Sequence, residues 1–203
     1  MTLRNLYEGN KKPRMNEYWK KLTEAQPRKR KLTFDTFREM HDLLRQTLIS
    51  PGDYDMMMYS MLIHNIGKNP DVMRGVGLDP AMGSHDEAVR RLFSPEYEEQ
   101  QQKFLPTFAD SRIFTDRQKK TIADVLRLPF NLPGFVLSHR SPDEIRTIES
   151  VDAQTLAIHA WHGILDIAGT HVDNNHPESS LILNEPTARR LLDALDVLTE
   201  PPE

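Results

Sequence analysis

The sequence predicts an all-α protein, a compact single-domain bundle of helices. Three observations carry that expectation. Apolar residues recur at spacings of three and four through most of the chain, as they do on one-sided helices. Proline, glycine and capping residues punctuate those segments where helices begin and end. No run alternates apolar and polar residues over enough length to suggest a strand.

The elements follow in order. A short basic helix is expected over residues 15–25. Phe34, Phe37, Met40 and Leu44 share one helical face, and that helix should run from near Thr33 to about Leu48. "SPGD" at 50–53 interrupts it. Asp53 is placed to cap the next segment, "YDMMMYSMLIHN", which is apolar nearly all round and so expected at the centre of the core. Gly67, Asn69 and Pro70 end it. Residues 73–83, "MRGVGLDPAMG", read as a glycine-rich connector. Ser84 and Glu87 then match a capping box, so a helix is expected from about His85. A polar helix around 95–105, another at 115–127 and a proline-rich turn "LPFNLPG" follow. Helix signals resume at "SPDEIRTIES" (141–150). A long helix is expected from about Asp152 to Gly169. The last one, about 185–198, carries Leu191, Leu192, Leu195 and Leu198 on one face.

Composition narrows the function classes. The chain has 203 residues, of which 38% are hydrophobic and 28% charged. That balance suits a globular protein with a sizeable core. No apolar run approaches the roughly 18–20 residues of a membrane span, so no membrane partner is expected. With no cysteine, disulfides, cysteine-type zinc sites and thiol nucleophiles are excluded. A cytoplasmic or nuclear setting fits.

Charge is unevenly spread. Residues 11–31 hold nine Lys or Arg against two Glu, in a chain whose net charge is −4. Residues 1–31 therefore read as a basic N-terminal arm with a short helix, leading into a domain over 32–203. "QPRKRKL" (26–32) resembles a nuclear-localisation or polyanion-binding patch, or else a solvated lead-in. The overall charge makes nucleic acid an improbable partner except through this arm.

Five of the eight histidines lie between 139 and 176. On a helix turning about 100° per residue, His159, His162 and Asp166 project within about 60° of one another. Two imidazoles and a carboxylate on a face bounded by Ile158 and Leu165 need compensation, either from a metal ion or from a hydrogen-bonded polar cluster.

The segment "LIHNIGK" (62–68), preceded by a helical His41 and followed by Asp166, resembles the HD-domain superfamily. Its hallmark is a helix ending Leu-Leu-His-Asp-Ile-Gly-Lys, with one histidine before and one aspartate well after. The spacings here are 23 residues from His41 to His64 and 102 from His64 to Asp166. The resemblance implies an HD-like helical domain. It implies a divalent metal ion (Mn, Fe, Ni, Zn or Mg) held by His41, His64 and Asp166, with His85, His139, His159 or His162 adding ligands. It also implies hydrolysis of a nucleotide or another small phosphorylated molecule, with Lys68 near the phosphate; in such a hydrolase Lys68 or Arg74 would steady the developing charge.

The chain departs from the family pattern at Asn65. A neutral amide can coordinate but cannot bridge two ions well, and it is no base for activating water. Asp166 or Asp173 could compensate. Two readings stand against the hydrolase. One is a catalytically degenerate HD-like domain that binds a ligand or a protein. The other is a helical interaction protein that works through its basic arm.

Overall fold

A computed structural model describes residues 12–24, 26–48, 50–110, 112–137, 141–169 and 182–199, and every regular element among them is helical. The helices are α1 (Lys12–Leu22), α2 (Phe34–Thr47), α3 (Pro51–His64), α4 (Pro70–Gly75), α5 (His85–Leu92) and α6 (Glu98–Phe104). They continue with α7 (Pro106–Ala109), α8 (Asp116–Arg127), α9 (Leu132–Val136), α10 (Ala153–Gly169) and α11 (Glu185–Thr199). The all-α expectation is met. His139, His171, Asp173 and His176 lie outside the described residues.

Contacts divide the chain into two compact units. The first comprises residues 1–49, 131–146 and 160–203. Its core is built from Phe37, Met40 and Leu44 of α2, Trp161 and Ile164 of α10, and Leu191 and Leu195 of α11, all buried. Thr33 caps α2 through a bond from the Thr36 N–H. Glu185, in the first turn of α11, reinforces that cap by accepting from the Thr33 N–H at 2.8 Å and from the Thr36 hydroxyl. Burial alone would raise the Glu185 pKa, but these bonds and Arg189 hold it below the usual carboxylate range. The helix expected over 15–25 lies three residues earlier, at Lys12–Leu22, and its Trp19 indole N–H donates to the Leu32 carbonyl at 2.7 Å.

The second unit comprises residues 50–130 and 147–159. Ser50, not Asp53, caps α3. Asp53 is the third residue of a complete capping box with Ser50, and it also accepts from the Gln154 amide. Pro51 suits the first turn because its missing N–H would have had no helical partner. The α3 helix buries Met56, Met57, Ser60 and Ile63, while Tyr59 packs edge-on to Phe114 at 4.8 Å and stacks on Phe108 at 6.0 Å. A second capping box, Thr115 with Gln118, opens α8.

Three further local expectations are not met. The capping box expected at Ser84 and Glu87 does not form: Ser84 makes no side-chain cap bond, and Glu87 pairs with Arg90 and Arg91 at 2.8 and 2.9 Å. Two guanidinium groups one turn on outcompete a single backbone N–H. The proline-rich turn contains the five-residue helix α9, because the Asn131 side chain accepts from the Gly134 N–H and Pro133 tolerates the first turn. "SPDEIRTIES" makes only a 3₁₀ stretch over Pro142–Ile148.

Candidate metal centre

The centre lies in the second unit and begins with the end of α3. His64 is the last α-helical residue. The chain then tightens into a 3₁₀ turn over Asn65–Lys68, and Asn69 caps α4 by accepting from the Asp71 N–H. Within the turn only Gly67 is buried. A Cβ there would stand 2.2 Å from the His85 carbonyl oxygen and 2.9 Å from a Val89 methyl. Real Cβ atoms do not approach that closely, so the absent side chain is what allows the backbone of α5 to lie against the turn.

That approach delivers the first two residues of α5 to His64. Asp86 Oδ1 lies 3.2 Å from His64 Nε2 and 3.0 Å from His85 Nε2. The two imidazole rings stack with centroids 5.3 Å apart and planes inclined by 27°. Side-chain exposure is 17% for His64, 38% for His85 and 43% for Asp86, so solvent reaches all three. Asp86 also sits in the first turn of its helix, where the backbone N–H groups favour a negative charge.

One potential ligand atom from each of these residues lies within 4.8 Å of the others. The group could hold a metal ion. Donors bound to one ion at about 2.0–2.1 Å stand roughly 3 Å apart, and the observed separations from Asp86 Oδ1 match that spacing. The same distances serve a hydrogen bond in the absence of an ion.

The other expected site residues are placed as follows. Asn65 is exposed and caps the end of α3, its N–H directed to the Ile63 carbonyl. Lys68 is exposed at the end of the turn, and Arg74 is exposed in α4, paired with Asp71 at 3.1 Å. His159 is buried in the second unit. Its Nδ1 lies 2.8 Å from the Val125 carbonyl and its Nε2 against that of Phe130, so backbone oxygens occupy both coordinating positions. Burial pushes its pKa below the ordinary imidazole value, the two carbonyls pull the other way, and the charge of His64 adds to the lowering.

His41, His162 and Asp166 belong to the first unit. His41 and His162 are buried, and His41 Nδ1 lies 3.2 Å from Asp42. Asp166 is exposed on α10. Sequence reasoning missed Asp86. The signal was present, since "SHDE" contains a His-Asp dipeptide, but its Ser and Glu drew attention as a capping box.

A family model described as a family of unknown function (DUF6829) matches residues 14–201, and the chain belongs to that family. No curated protein matches the chain, and no solved structure does. Among the described residues no helix is long and apolar enough to cross a membrane.

Proposed function

We propose, from the geometry above, that His64, His85 and Asp86 hold a divalent metal ion. In this reading the protein is a metal-dependent phosphoester hydrolase of HD-like type. The observation that carries it is the meeting of two imidazole nitrogens and one carboxylate oxygen at one solvent-reached point. Two neutral nitrogen donors and one oxygen favour zinc, iron, nickel or manganese over magnesium. When bound, such an ion supplies Lewis acidity toward a phosphoryl oxygen and lowers the pKa of water.

The chain's own residues supply the rest. Asp86 brings the negative charge that Asn65 lacks beside His64, and it orients both rings. Lys68, on the turn that follows His64, offers an exposed ammonium to attract the phosphate of a nucleotide or other phosphoester. The Asn65 amide, neutral and exposed, can donate to a phosphoryl oxygen or orient water but cannot take its proton.

Elemental analysis of the purified chain should find close to one transition-metal ion per molecule. His64→Ala should remove it, and the wild-type protein should cleave a generic phosphoester. A chain that takes up no metal after dialysis against Mn, Fe, Ni or Zn overturns this reading. Metal uptake without hydrolysis favours the second reading, a degenerate HD-like binding module, to which the neutral Asn65 points. In that case Asn65→Asp should create phosphatase activity.

A further inference from the structure

We propose that the turn Pro27–Lys31 is a docking knuckle for the phosphate backbone of double-stranded DNA. Arg28, Lys29 and Arg30 form one turn of 3₁₀ helix with no buried member. Three residues complete a 3₁₀ turn, so their side chains leave the axis about 120° apart. All three side chains are exposed, so the turn presents its cations to solvent in more than one direction.

The knuckle is pinned at its base. Gln26 and Leu32, on either side of it, are buried. The Leu32 N–H donates to the Gln26 side-chain oxygen at 2.8 Å, and the Gln26 amide donates to the Leu183 carbonyl at 2.9 Å. Lys31 lies over the Trp19 ring at 5.4 Å, and Trp19 meets Phe34 edge-on at 5.7 Å. The loop is thus closed on itself by core hydrogen bonds, and its backbone needs little further ordering on binding.

Charge selects the partner's chemistry and shape selects its class. Lys20 and Lys21 end α1 beside Trp19, so residues 20–31 hold six cations and one acid, Glu24, in a chain of net charge −4. No phosphate-sized pocket is needed to read such a surface; a polyanion is. A flat lipid face would meet cations on one side of the turn only. The major groove of B-DNA is about 12 Å wide and walled by phosphates on both sides, so it meets the fan of Arg28, Lys29 and Arg30 from two directions at once.

The test is a fluorescence-anisotropy titration of a labelled random-sequence DNA duplex with the full chain at several salt concentrations. Binding should weaken steeply with salt, by a slope of about −0.9 per phosphate neutralised. Arg28→Gln, Lys29→Gln and Arg30→Gln lie on exposed side chains and leave the core intact. The triple variant should make the slope shallower by about 0.9 for each cation lost, and at least two of the single variants should share that loss. Any of three results overturns the proposal: no binding at low salt, a triple variant that binds like wild type, or a slope carried by one side chain alone. Tighter binding to vesicles containing about a quarter phosphatidylserine than to the duplex overturns it as well, and assigns the knuckle to membranes.

Discussion

The two units handle their histidines in opposite ways. In the first, His41 has a side chain only 3% exposed, in an apolar cleft with Phe37, Met40, Leu44, Trp161 and Ile164. In the second, His64 and His85 flank the carboxylate of Asp86 at 17% and 38% exposure. Both kinds of histidine ride on helices with strong apolar faces, and the sequence alone hardly separates them. Each has a carboxylate at 3.2 Å, Asp42 at His41 and Asp86 at His64; what separates them is that His41 is enclosed by aliphatic and aromatic side chains, while Asp86 is shared with a second imidazole and reached by solvent. A metal centre needs the second set, because an ion must exchange with water and its charge must be balanced.

The largest effects should break this contrast directly. His85→Ala removes one of three candidate ligands and should weaken Co(II) binding by at least about 100-fold, the upper range for loss of even an outer-shell partner. His41→Ala should leave Co(II) affinity within about twofold but lower urea stability by about 2 kcal/mol or more, as truncations in packed sites do. Equal loss of Co(II) binding in both variants would erase the distinction between the units.

Gly67→Ala comes next. The added methyl would meet the His85 carbonyl at 2.2 Å, so α5 must shift. We expect a loss of about 1–3 kcal/mol from overpacking, together with a changed Co(II) absorption spectrum. An unchanged spectrum with the same loss would show that Gly67 serves packing only.

The pH response of His159 sharpens the comparison within the second unit. Its folded pKa lies below the ordinary value of 6.5 because burial disfavours the imidazolium. Between the two values the unfolded chain holds the extra proton, so its contribution is fully present above about pH 6.5 and is lost as pH falls below that. Urea midpoints measured from pH 8 to 5 should decline, and His159→Gln should flatten the decline in that window. An equally steep decline in the variant would place the titration elsewhere.

The smallest effect compares two serines that look alike in sequence. Ser50→Ala breaks a complete capping box and should cost about 1 kcal/mol. Ser84→Ala removes no cap bond and should stay within about 0.5 kcal/mol. Thermal melting of the two variants, side by side, measures the difference.

Much of the fold was legible because helix signals are local. The Phe34–Leu44 spacing and the Leu191–Leu195 stripe each lie within a few residues of what they determine, and α2, α8 and α11 emerged close to the expected bounds. A cap failed to form where two local partners competed, Glu87 choosing Arg90 and Arg91 over the Ser84 backbone, although the helix still begins at His85 as expected. Of the candidate ligands, His64 and His85 were legible and do meet. Asp86 was not, since its role depends on a neighbour 22 residues away.

The sequence by itself determined that this chain is helical and where most helices start, and it singled out His64 and His85 among its candidate ligands, because periodicity, capping and side-chain chemistry are properties of short segments. Only the tertiary structure decided which of those residues meet. The contact of Gly67 with His85 joins two segments that no local rule relates, and it turns a histidine at a helix end into part of a three-donor cluster. Tertiary packing likewise sets His159 between the carbonyls of Val125 and Phe130, whose oxygens stand where a metal ion would have to approach its nitrogens.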